Sequence, residues 1–238
     1  MPTVILAVWS NDNSCDTIKR KYMKKIIIML VVGLLVQQII QAQGTIYLSN
    51  LAQPSAGSES VGNDSWLAAQ FETGANADGY KLNSIQLAMA AASGDPNGFT
   101  VMLYKSFAVA TAPEASIGSL SGSSNPSTSG IYTFTDDSDL TLSPDTTYFI
   151  VLTAGTAVTS GAYEFSVTSA SSYNSSGGWQ GGISLSTSSN GLSPWSLISG
   201  DFPQYAISAT AVPEPGVLSL AVAGGLFLIW HRRKTSRC

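Results

Sequence analysis

The chain has 238 residues, of which 44% are hydrophobic and 9% aromatic but only 11% charged. Serine (36), threonine (19) and glycine (22) fill the gap, which excludes a coiled coil or long helical bundle built on Glu, Lys, Arg and Leu at helical spacing. A formal charge of −4 excludes a basic nucleic-acid binder, and the hydrophobic content is too high for simple disorder.

In chain order, the first feature is charge. Lys19, Arg20, Lys21, Lys24 and Lys25 precede an apolar run, Ile26–Val36, and then Gln37 to Gln43 with Ala42 before Gln43. A positive region, a short apolar core and a small residue predict a secretory signal peptide over 23–42, cleaved between Ala42 and Gln43. Residues 1–22 are too long for such a leading region and read as an upstream extension, with Met23 as the start. A membrane-anchoring or buried helix is the competing reading of the apolar run.

The middle of the chain, residues 43–211, reads as strands. Ser65–Glu72, Gly98–Tyr104, Ile131–Thr135, Tyr148–Thr153 and Gln204–Thr210 are short, β-branched and aromatic, with turn residues around them. Tyr163, Phe165 and Val167 alternate with smaller or polar neighbours, as do Ile183 and Leu185. Tyr80 and Leu82 share one phase while Ile85, Leu87 and Met89 share the other, a slip that predicts a bulge between two strand segments. Asp95-Pro96-Asn97-Gly98 and Ser143-Pro144-Asp145-Thr146 are turns, and Gly118–Gly130 and Ser175–Gly182 read as loops. Eight to ten short strands predict an all-β fold, an antiparallel sandwich of jelly-roll-like form.

The end of the chain mirrors its start. Val212-Pro213-Glu214-Pro215 leads into the mostly apolar run Gly216–Trp230 and then His231-Arg232-Arg233-Lys234. At about 1.5 Å per residue that run makes a helix of roughly 22 Å, shorter than the roughly 30 Å hydrocarbon core. Trp230 suits the membrane interface and the bases suit the cytoplasmic side, so a C-terminal transmembrane helix is expected, against a buried helix as the alternative. Nine of the eleven bases lie at the two ends, and residues 43–215 hold two bases against thirteen acids. Bases at both ends keep the ends inside and send the acidic middle across. Cys15 and Cys238 both lie outside that middle, which must be held by its core alone.

Chemistry has few candidates. The one histidine, His231, lies in the tail, so no Ser-His or Cys-His pair and no ordinary His/Cys zinc site can form in the middle domain. No cofactor is expected. A two-carboxylate glycosidase is formally open, though nothing in the sequence pairs two acids. Asp136-Asp137-Ser138-Asp139 is an oxygen-rich loop in which Asp136, Asp137 and Asp139 could hold Ca²⁺, against a plain solvated turn. Trp179 and Trp195 follow turn residues and are candidate glycan contacts, against packing in the core or at its ends.

Two resemblances rest on these residues. Val212-Pro213-Glu214-Pro215, the short apolar run and Arg232-Arg233, in order, resemble a PEP-CTERM sorting segment over 212–238. That resemblance implies export through the Sec translocon, a transient inner-membrane anchor, and recognition of Pro213-Glu214-Pro215 by an exosortase-type processing protein of Gram-negative bacteria. The segment Phe71-Glu72-Thr73-Gly74, then Gly79–Ile85, Gly98–Tyr104, Ser121–Pro126, Leu142–Tyr148 and Ser176–Trp179, is similar to the choice-of-anchor R domain. It implies an extracellular domain without a known catalytic role. The expectation is therefore a non-catalytic surface or extracellular-matrix protein, with a carbohydrate-binding module for exopolysaccharide or environmental glycan as the alternative.

Overall fold

The computed structural model describes residues 44–106, 112–122, 124–213 and 224–225. The compact unit begins at Gly44. The expected signal peptide over 23–42 with its Ala42–Gln43 cleavage point, the upstream extension, and Glu214, Pro215, Arg232 and Arg233 lie outside the described residues. Among the described residues, no helix is long and apolar enough to cross a membrane.

The described chain is all-β and antiparallel. Its strands are β1 (Thr45–Ser49), β2 (Gly57–Val61), β3 (Trp66–Glu72), β4 (Tyr80–Gly94), β5 (Thr100–Lys105), β6 (Ala115–Gly122), β7 (Gly130–Thr135) and β8 (Thr141–Leu142). Then follow β9 (Thr147–Thr153), β10 (Gly161–Thr168), β11 (Asn174–Ser175), β12 (Gln180–Ser188), β13 (Ser196–Ile198), β14 (Phe202–Pro203) and β15 (Tyr205–Ala211). One layer is ordered β11-β1-β15-β4-β7, with β10 continuing the edge of β4 beyond β15 and β2 outside β10. The other is ordered β5-β9-β3-β12-β13, and β6 bonds both to β5 and to β7, carrying the ladder from one layer to the other.

Alternation explains the core. On β4 the buried side chains are Tyr80 and Leu82, then Ile85, Leu87 and Met89. The phase changes at Asn83, which is the extra residue opposite Ser208 and Ala209 of β15. The slip read in the sequence is therefore a bulge inside one 15-residue strand rather than a break between two. The Asn83 amide meets the Thr210 hydroxyl at 3.1 Å, fixing the bulge to the neighbouring strand. From the facing layer come Leu67, Ala69 and Phe71 of β3, Ile150 and Leu152 of β9, Val101 and Leu103 of β5 and Leu185 of β12. The Tyr205 hydroxyl of β15 donates to the Gln70 carbonyl of β3 at 2.7 Å, joining the two layers by a bond as well as by packing.

The reading of 118–130 as a loop is corrected in its first part, because residues 115–122 form β6. Its glycines are packing positions. A Cβ on Gly118 would lie 2.5 Å from the Leu140 side chain, and one on Gly122 would lie 2.5 Å from the Phe134 ring. The turn at Pro144-Asp145 is present, with Asp145 at φ 43°, a left-handed conformation that aspartate tolerates better than most residues.

Candidate functional site

The corner where β15 ends draws together several residues of interest. β1 and β15 are antiparallel, with Thr45 opposite Ala209, so the first and last described strands begin and end at the same corner. Beyond β15, the Val212 N–H donates to the Gly79 carbonyl at 3.0 Å, and the Val212 carbonyl accepts from Asn76 Nδ2 at 3.1 Å. Asn76 also donates its side-chain amide to the Gly79 carbonyl, and its own carbonyl accepts from the Gly79 N–H at 2.8 Å. Gly79 adopts φ +76°, and a Cβ there would lie 2.2 Å from the Leu142 carbonyl oxygen; only glycine fits this turn. Val212 is thus bonded to the sandwich through both backbone groups. Pro213 follows with no N–H to add.

Aromatic rings pack behind this corner. Trp179 is buried and stacks on Tyr47 and Phe71, with ring centroids at 5.1 and 5.8 Å, while Tyr80 meets it edge-on at 5.0 Å. Among the described residues its Nε1 has no hydrogen-bond partner. Trp179 as a candidate glycan contact is corrected in favour of the core packing weighed against it: the ring completes the core and presents no face to a ligand. Burial, and then the neighbouring Tyr80, push the Tyr47 hydroxyl above its ordinary pKa.

Trp195 lies elsewhere, on the outer face of the second layer. There Ala68, Phe149 and Val151 form a second buried cluster, with Trp66, Met102, Tyr104 and Trp195 half-buried around it. Strand period 2 places these residues on the face opposite Leu67, Ile150 and Leu103. The Trp66 ring is overlaid by the backbone of Gly191, where a Cβ would lie 2.4 Å from the ring. Leu192 and Leu197 are exposed beside it. Trp66, Met102 and Tyr104 were not singled out in the sequence as a surface. Their alternation with core residues along β3 and β5 is the signal in the sequence that places them on one outer face.

The acidic loop is ordered by its own first residue. The Asp136 carboxylate accepts from the Ser138 N–H at 3.0 Å, from the Ser138 hydroxyl at 2.6 Å and from the Leu140 N–H. Burial alone raises its pKa, but these hydrogen bonds outweigh it and leave the carboxyl below the ordinary range. Asp139 turns away to pair with Lys81 at 3.2 Å. Among the described residues, no three His, Cys, Asp or Glu side chains gather where they could hold a metal ion, so the structure does not bring Asp136, Asp137 and Asp139 together as ligands.

The remaining carboxylates of note are on the sheet edge. Glu164 on β10 accepts from the hydroxyls of Ser58 and Ser60 on β2, each at 3.0 Å. Glu59 lies opposite the core residue Phe165. Burial first, then the charges of Asp201 and Glu164, raise its pKa.

The chain matches no known protein family, no curated protein and no solved structure.

Proposed function

We propose that this chain is an exported, non-catalytic protein of the bacterial cell surface or extracellular matrix, sorted by an exosortase-type membrane protein acting on Pro213-Glu214-Pro215. On this reading the Sec translocon carries it across the inner membrane, residues 212–238 hold it there transiently, and residues 43–211 form a jelly-roll-like sandwich of choice-of-anchor R type. The observation that carries the reading is the place where the sandwich stops. β15 ends at Ala211, Val212 is hydrogen-bonded to Gly79 and Asn76 at the sandwich edge, and the motif's first proline follows at once. A sorting segment appended to a folded cargo requires such a boundary. The test is fractionation of tagged full-length chain in a Gram-negative host that carries an exosortase. Glu214→Ala, and separately deletion of residues 232–234, should leave precursor in the membrane fraction; normal processing of both variants refutes the assignment.

A second reading, a carbohydrate-binding module, is favoured by the outer face of the second layer. Trp195, Trp66 and Tyr104 lie there around the apolar residues Ala68, Phe149 and Val151, and aromatic side chains with a polar handle suit ligands that present both apolar and polar groups. In this form the glycan contacts are Trp195 with Trp66 and Tyr104, without Trp179. Extracellular polysaccharide retained by the wild type and lost by Trp195→Ala would favour it over a purely structural role.

A further inference from the structure

The corner at the end of β15 fixes more than the boundary of the sandwich. Val212 is the first residue of the four that resemble the sorting motif, and both of its backbone groups are taken, by Gly79 at 3.0 Å and by Asn76 at 3.1 Å. Asn76 is itself held, because its N–H donates to the Tyr80 hydroxyl at 3.3 Å and its carbonyl closes the turn to Gly79. A processing protein therefore cannot bind the Val212 backbone by strand addition without breaking these bonds. Pro213, whose φ the ring fixes, follows directly.

We propose that Asn76 is a positioning residue for sorting: it pins Val212 so that Pro213-Glu214-Pro215 is offered from a fixed base at the sandwich edge. The proposal rests on the sorting reading above. Its physical basis is preorganisation. A free Val212 would lose backbone freedom each time the motif was bound, whereas the Asn76 bond has already removed that freedom in the folded domain, lowering the cost of recognition. The same bond makes presentation depend on folding, because Asn76 and Val212 lie 136 residues apart and meet only in the finished sheet.

The experiment follows precursor conversion by pulse-chase in the full-length tagged chain, in a host with an exosortase. Three variants are compared: Asn76→Ala, a six-residue Gly/Ser insertion between Val212 and Pro213, and Glu214→Ala as the control. Limited proteolysis of the same samples reports whether the sandwich is folded. Asn76→Ala and the insertion should each slow conversion at least about threefold with the sandwich still protected. The insertion touches none of the clamp bonds, so it decides the matter if Asn76→Ala fails to fold. Unchanged or faster conversion of the insertion variant overturns the positioning role. Normal conversion of Glu214→Ala instead refutes the sorting reading beneath it, and the two failures are distinct.

Discussion

Glu59 sits where a carboxylate is least comfortable, on the edge strand β2, opposite the buried Phe165, with Asp201 and Glu164 as neighbours. An inward-pointing charge on an edge strand discourages a second chain from pairing there, which gives the residue a use despite its setting. Because its folded pKa is raised, the neutral form favours the folded state. The stability that comes with protonation is fully present below the unfolded value and is lost as pH rises through the raised folded value. Glu59→Gln should therefore raise Tm at pH 7 by a small amount, on the order of a degree, and the gain over wild type should vanish in melts taken below about pH 4. An equal gain at both pH values would mean that charge is not the cause. Composition could not reveal this residue: Gly57-Ser58-Glu59-Ser60-Val61 lacks the bulky alternation that marks a strand, and its partner Phe165 is more than a hundred positions away. Trp179 and Trp195 make the same point. Both follow turn residues, and only the packing of Tyr47, Phe71 and Tyr80 around one of them separates core from surface.

At the scale of elements, the strands with large alternating side chains were legible and those built of small ones were not. β9 and β5 are clear in Tyr148–Thr153 and Gly98–Tyr104, and the bulge on β4 is visible as a change of phase between Leu82 and Ile85. β6 is not legible in the sequence because Ala115-Ser116-Ile117-Gly118-Ser119-Leu120-Ser121-Gly122 has the composition of a loop. Its glycines are there for room, since Leu140 and Phe134 occupy the space that side chains would take. Gly122→Val should therefore lower stability by about 1–3 kcal/mol through overpacking. Thermal melts would read this as a loss of several degrees, and Phe134→Leu in the same chain should recover part of it. A Gly122→Val variant as stable as the wild type would show that the ring gives way freely.

For the whole molecule, the layer order could not be read from local pattern, because neighbours in the sheet are distant in the chain. β1 pairs with β15, and β3 sits between β9 and β12. An all-β class with a sandwich-like core follows from period-2 alternation alone, whereas the pairing requires knowing which edges find each other. The charge segregation, by contrast, was complete in the sequence, and the structure adds the corner at which β1 begins and β15 ends. β15 lies between β1 and β4 and buries Tyr205, Ile207 and Ala209. A chain ending at Pro203 should lose its cooperative melt, while one ending at Pro213 should keep the melting temperature of the full-length protein. Equal melting of both would show that the last strand is dispensable.

The position of β15 also has a mechanical meaning. A load entering at Val212 and leaving through the opposite end of the sandwich runs along β15, which is hydrogen-bonded on both flanks, to β1 from Thr45 to Ser49 and to β4 from Tyr80 to Leu87. Those bonds lie across the pull and are strained together in shear instead of parting one after another as in a zipper. A tether at this end of the chain therefore grips the sandwich by its best-supported strand.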